Sequence, residues 1–288
     1  MDIIRQQFNS CKPMGQALHR KAMDYFRRYM IVGGMPQAVA EYAETGDFDR
    51  TDQIKRDILT LYRGDLQKHA GRYSLKVESI FDEIPAQLQK HEKKFQLSSL
   101  GKSARFRDYE DAIFWLDDAM LVNLCYNSTA PNIGLRLNLG RLTMKCYMGD
   151  TGLLISHAFD ENGIISGELY KKLLFDKLEV NNGMIVENIV AQMLAASGHK
   201  LYFYSDPSRD EVDSRMEIDF LISKRDVNSR HNISPIEVKS GKRYTLTSLK
   251  KFMTKYREQL WTPYVLHPAD LKTEEGITYL PLYMTPLL

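Results

Sequence analysis

Only three cysteines occur in 288 residues, Cys11, Cys125 and Cys146, far apart and never as Cys-X-X-Cys. Their spacing gives no reason to expect a disulfide framework or a structural zinc site. The histidines are scattered, with no His-Glu-X-X-His, so a zinc hydrolase has no motif to rest on. No stretch reaches the roughly 18 apolar residues of a membrane span. The start, Met1-Asp2-Ile3-Ile4-Arg5-Gln6-Gln7-Phe8, has neither the basic opening nor the apolar core of a signal peptide, so a cytoplasmic location and no membrane partner are expected. Gly101-Lys102-Ser103 looks like the end of a phosphate-binding loop, but G-x-x-x-x-G-K-[ST] needs glycine where Gln96 stands, which excludes a Walker A site. Strong charge of either sign is also lacking. The net charge is only +2, so any nucleic-acid footprint has to be local.

What is present is ordinary globular composition, 43% hydrophobic and 26% charged, in a length that suggests about two domains. In residues 1–50, Leu18, Met23, Phe26, Tyr29 and Met30 recur near helical spacing, Val32-Gly33-Gly34-Met35-Pro36 interrupts, and Val39, Tyr42 and Ala43 resume. This predicts a helix-helix corner with Pro36 opening the second helix. Residues 51–160 read as a winged-helix-like piece. Val77, Ile80, Phe81, Ile84, Pro85 and Leu88 mark one helix, Ala112, Ile113, Trp115 and Leu116 another, and strands follow over 121–126 and 142–148. Arg105, Arg107, Arg136, Arg141 and Lys145 lie on or beside its loops and wing, placed either for phosphate contact or as solvated surface.

Residues 161–288 carry the chemistry. A helix holds Glu187, a strand reads Glu217-Ile218-Asp219-Phe220-Leu221-Ile222, and the next reads Pro235-Ile236-Glu237-Val238-Lys239. Period-two alternation predicts Ile218, Phe220, Ile222, Ile236 and Val238 on one face and Asp219, Glu237 and Lys239 on the other, where two carboxylates and an ammonium would converge. Such a set suits a divalent ion and an attacking water, although Lys239 pairing with Glu237 or Asp219 on a solvated face would look the same in sequence. Glu187 falls at the margin of its helix's apolar arc. From Lys239 to Arg257 the basic residues Lys242, Arg243, Lys250, Lys251 and Lys255 follow with no Asp or Glu between them, a stripe suited to a phosphate track. Leu246, Leu249, Phe252, Met253 and Tyr256 would meanwhile seal the same helix against a sheet.

Glu187 on a helix, Asp219 on a strand and Glu237-Val238-Lys239 on the next strand resemble the motif set of the PD-(D/E)XK nuclease superfamily. The resemblance implies a restriction-endonuclease-like α/β domain with a mixed central sheet, following a helical, winged-helix-like N-terminal region. It further implies a catalytic set of Glu187, Asp219, Glu237 and Lys239. Mg2+ or Mn2+ would sit on Asp219 and Glu237, and DNA on Lys242, Arg243, Lys250 and Lys251. Tyr29 to Val39, Ile84-Pro85-Ala86-Gln87-Leu88 with Lys93-Lys94-Phe95, Tyr147-Met148-Gly149-Asp150-Thr151-Gly152, and Tyr279-Leu280-Pro281-Leu282-Tyr283 are similar to the C-terminal region of a prokaryotic family. In that family an AAA-type ATPase module precedes a nuclease-like domain of unknown function. This second resemblance implies an ATPase module as partner, in cis or in trans. Two functions are therefore expected in competition: a metal-dependent nuclease acting on DNA, and an inactive nuclease fold serving as a DNA- or protein-binding platform for an ATPase.

Overall fold

The structure is a computed structural model that describes residues 2–90, 92–132, 134–159, 182–206, 215–223, 231–241 and 243–288. In chain order the helices and strands are α1 (Asp2–Ser10), α2 (Gln16–Val32), α3 (Pro36–Thr45), α4 (Phe48–His69), α5 (Ser74–Gln89), α6 (Phe106–Asp118), β1 (Val122–Ser128), β2 (Leu139–Met148), α7 (Thr151–Ala158) and α8 (Asn182–Ala196). There follow β3 (Leu201–Asp206), β4 (Met216–Ser223), β5 (Ile233–Val238), α9 (Thr247–Lys255), β6 (Tyr264–His267), β7 (Lys272–Glu274) and β8 (Ile277–Pro281). The result is the mixed α/β class expected. One compact unit comprises residues 24–124 and 145–192, and the other 1–23, 125–144 and 193–288.

In the helical unit, Val77, Ile80, Phe81, Ile84 and Leu88 of α5 are buried, as are Ala112, Ile113 and Leu116 of α6, against which α5 packs. Asp47 caps α4 by accepting from the amides of Asp49 and Arg50, satisfying donors that a helix start leaves unpaired. The expected corner is present: α2 ends at Val32, and Pro36 opens α3. Its glycines have a steric reason. Gly33 has φ +82°, and a Cβ there would lie 2.3 Å from Asp150 Oδ1. Asp150 caps α7 through the Leu153 amide at 2.8 Å and accepts from the Gly34 amide at 2.6 Å. A Cβ on Gly152 would lie 2.5 Å from the Val32 carbonyl oxygen. The two glycine motifs are thus the two sides of one close approach between the end of α2 and the start of α7.

Beneath this contact lies Lys55, fully buried, whose ammonium donates to the carbonyls of Ile31 at 3.0 Å and Gly152 at 3.4 Å. Burial pushes its pKa down to about 8, only partly offset by the charges of Asp52 and Asp150. Asp52 in turn accepts from Ser156 Oγ and from Arg56 Nε at 2.7 Å.

The other unit is built on one eight-stranded mixed sheet in the order β2-β1-β3-β4-β5-β6-β8-β7. The hairpin of β1 and β2, read from the sequence as a wing, is not free-standing. β1 runs parallel to β3, with Cys125 opposite Leu201 and Asn127 opposite Phe203, so the hairpin forms one end of the sheet. β5 and β6 are also parallel, which requires a crossover, and α9 supplies it. Leu249 and Phe252 of α9 bury against Ile218, Leu221, Ile233 and Val265, with Leu246, Met253 and Tyr256 at the margin, as the helical spacing predicts.

The period-two reading of β4 fails at its centre. Tyr204 faces Ile218 while Tyr202 faces Leu221, so three steps on β4 answer two on β3, which is a β-bulge across Asp219 and Phe220. Leu221 therefore joins Ile218 in the cluster under α9, while Phe220 pairs with Ile236 on the opposite face. On β5, Glu237 lies opposite Val265 and shares the α9 face, buried, while Val238 is only half-buried. The expected apolar and ionisable faces do not exist as such, because central strands are covered on both sides.

Gly33→Ala is expected to cost about 2 to 4 kcal/mol, from a left-handed backbone forced on alanine and a clash with Asp150. Gly64→Ala, inside α4 with nothing within 4 Å of the added methyl, is expected to be neutral or stabilising. Urea midpoints of the two variants, compared at equal m, check this.

Candidate functional site

The bulge sets the geometry around the Glu-Val-Lys segment. Just beyond the last β4–β5 pair, Phe220 with Ile236, Asp219 Oδ2 accepts from the Val238 amide at 2.8 Å. Glu237 Oε2 accepts from Lys239 Nζ at 2.8 Å, and the Lys239 amide donates to the Leu266 carbonyl at 2.8 Å, anchoring the end of β5 to β6. Burial pulls the Lys239 pKa down, but the charge and hydrogen bond of Glu237, together with the charge of Asp219, outweigh it and leave the pKa raised. Lys239 is therefore a firmly held ammonium, suited to balancing negative charge and unsuited to taking a proton from water. Asp219, Glu237 and Lys239 do come together as the sequence predicts.

Glu187 has other partners. It belongs to the helical unit, 5% exposed, and its Oε2 takes the ammonium of Lys93 while its Oε1 takes Lys145 Nζ at 3.2 Å and the Tyr147 hydroxyl. Burial alone would raise the pKa of this carboxyl. The charges of Lys145 and Lys93 and the hydrogen bonds from Lys93 and Tyr147 outweigh burial and hold it well below the usual carboxylate range. Lys145, read from the sequence as either a phosphate contact or solvated surface, is 1% exposed and paired with Glu187. Next to Glu187, Asn188 accepts from the Met148 amide at 2.8 Å and donates to the Thr151 hydroxyl at 2.8 Å. One turn on, Gln192 accepts from the Thr151 amide at 2.8 Å and donates to Asp150 at 3.2 Å.

These arrangements do not fit the Mg2+ or Mn2+ site the resemblance implies. One oxygen of Asp219 is bound to an amide, one of Glu237 to an ammonium, and both of Glu187 to cations or a hydroxyl. Among the described residues, no three His, Cys, Asp or Glu side chains gather as a metal ion requires.

The basic stripe is partly neutralised from outside its own segment. Lys250 pairs with Glu275 at 2.7 Å and Lys255 with Asp206 at 2.9 Å, both from other strands or turns of the sheet unit. Arg243 is exposed and Lys251 half-buried, while Lys242 lies outside the described residues.

Sequence reasoning named Glu187 without its partners. Lys93, Lys145 and Tyr147 stand 94, 42 and 40 residues away from it. The available signal was Lys145 itself, a charge inside the apolar run Met144-Lys145-Cys146-Tyr147-Met148 on a strand that ends buried. A lysine in such a place has to meet an acid.

A model of a domain of unknown function (DUF8612) matches residues 23–162, and a second domain of unknown function (DUF4143) matches residues 182–284. Domains of the second kind are often found after AAA-type ATPase modules. No curated protein and no solved structure matches the chain.

Glu187→Gln would leave two buried ammonium groups without a counter-charge, and a loss of about 3 to 5 kcal/mol is expected. The sign with pH follows from the depressed pKa. The stabilisation is complete above the unfolded carboxyl value of about 4.3 and disappears as pH falls through the lower folded value. Urea unfolding from neutral to acid pH should show this loss in the wild type and a shallower one in Glu187→Gln.

Proposed function

We propose that this chain is a binding platform that works beside an AAA-type ATPase module and does not itself cut nucleic acid. The observation that carries the reading is that every acidic member of the nuclease-like pattern is engaged by the chain's own donors. Asp219 holds the Val238 amide, Glu237 holds Lys239, and Glu187 holds Lys93, Lys145 and Tyr147. Magnesium demands near-ideal octahedral oxygen geometry and gives up water reluctantly, so it would have to displace the partners of Glu187 and compete with the Val238 amide and the Lys239 ammonium for the carboxylates of Asp219 and Glu237. A residual ion pair of this kind keeps a strand end in register without any metal. The ATPase association is supported by the match of residues 182–284 to a domain often found after such modules.

The exposure of Arg243 and Arg257, either side of α9, favours a second reading in which the platform binds nucleic acid. In that case affinity would fall steeply with salt, since neutralised phosphates release counterions.

Purified chain incubated with plasmid and single-stranded DNA in Mg2+ or Mn2+ is expected to show no metal-dependent cutting, and calorimetric titration with Mn2+ no heat beyond dilution. Cutting that disappears in both Asp219→Ala and Lys239→Ala would sink the platform reading in favour of a nuclease.

A further inference from the structure

The eight-stranded sheet ends at β2. Proteins blunt exposed edges with prolines, bulges, short strands or charges, and of these β2 carries charge alone, Arg141 outward and Lys145 inward. β2 is ten residues long and contains no proline. Its far end already takes a strand-like neighbour: Lys94 faces Lys145 in an isolated antiparallel bridge. From Leu139 to Met144, no backbone partner lies on the outer side among the described residues.

The side chains along this stretch are of two kinds. Leu142 is 76% exposed, and Leu137, in the turn that leads into the strand, is 84% exposed. Arg141 is exposed next to Leu142, while Arg136, exposed in the turn, lies near enough to Tyr202 of β3 for its charge to act there. Between Asp118 and Asp150 the sequence has no acidic residue, and Lys145 is already neutralised by Glu187, so the exposed charge of the hairpin is purely positive. Because side chains alternate, Arg141 and Leu142 project to opposite faces of β2. A strand laid along this edge would then meet a cation on one face and an apolar side chain on the other.

We infer that β2 is a docking edge for an extended acidic segment of a partner protein, one that alternates acidic with apolar residues and adds to the sheet as a further strand. Its main chain would pair with Leu139 to Met144, its acids would lie beside Arg141, and its apolar residues against Leu142. A second copy of this chain is the poorer occupant, since pairing β2 with β2 about a two-fold axis brings Arg141 of each towards the other. Single-stranded nucleic acid would match the arginines but leave the leucines and the open backbone unused. The inference stands apart from the platform reading, because a chain that cut DNA would carry the same edge.

The test uses the full chain and a short fluorescent peptide alternating glutamate and valine, with a lysine-valine peptide and an oligothymidine strand as competitors of other chemistry. Binding of the acidic peptide, with slowed amide exchange in residues 139–144, is expected. Arg141→Glu should weaken it about tenfold, and Leu142→Ser should weaken it without changing its salt dependence. Thermal unfolding of both variants should match the wild type, since both side chains are exposed. No binding, binding without protection of residues 139–144, equal binding of the lysine peptide, or binding of oligothymidine alone would each overturn the inference.

Discussion

A carboxylate placed in an apolar helix has to be met by cations wherever that helix packs, and Glu187 imposes this on the helical unit. The first part of α8 reads Met184-Ile185-Val186-Glu187-Asn188-Ile189-Val190-Ala191-Gln192, and its polar side chains are tied to different neighbours. Glu187 fixes it to Lys93 and to the end of β2, Asn188 to both backbone groups of Met148, and Gln192 to the start of α7. Apolar contacts alone would tolerate a slip of the helix along its neighbours. These bonds do not, because they are buried or half-buried and a slip would leave several donors and acceptors unpaired at once. The Gly33, Asp150 and Gly152 contact continues the same network, since Gln192 also donates to Asp150.

The sheet unit solves a similar problem by different means. A strand with an acidic residue in its buried middle would normally waste a ladder position. Here the β4–β5 ladder stops at Phe220 and Ile236, beside the bulge that β4 makes against β3, and the Asp219 side chain takes the backbone donor of Val238 just beyond it. Two residues later Lys239 folds back on Glu237. Acid, base and backbone thus satisfy one another locally, and the same three residues that suggest phosphodiester chemistry in sequence suffice to terminate a strand.

Much of this was legible in the sequence. Helical spacing gave α5, α6 and α9 with their buried faces, Val32-Gly33-Gly34-Met35-Pro36 gave the corner, and alternation gave β4 and β5. The convergence of Asp219, Glu237 and Lys239 followed from two strands with matching patterns. The bulge was not legible, because Ile218-Asp219-Phe220-Leu221-Ile222 fits unbroken alternation equally well and the extra residue is decided by pairing with β3. Nor was the fate of Glu187, since a helical wheel locates a side chain on its own helix and says nothing of lysines contributed by distant strands and loops. The reach of the hairpin was not legible either: β1 and β2 look like a wing in isolation, and only pairing with Leu201 to Phe203 makes them part of a larger sheet.

The two family-matched segments meet at the gap between residues 162 and 182, yet the charges do not respect that boundary. Lys93, Lys145 and Tyr147 belong to the first segment and Glu187 to the second, while the strand that pairs β1 in parallel comes from the second. Each segment holds half of a buried electrolyte. The sequence modules and the units of folding are therefore not the same objects: either segment on its own loses the counter-charges that its buried side chains pair with.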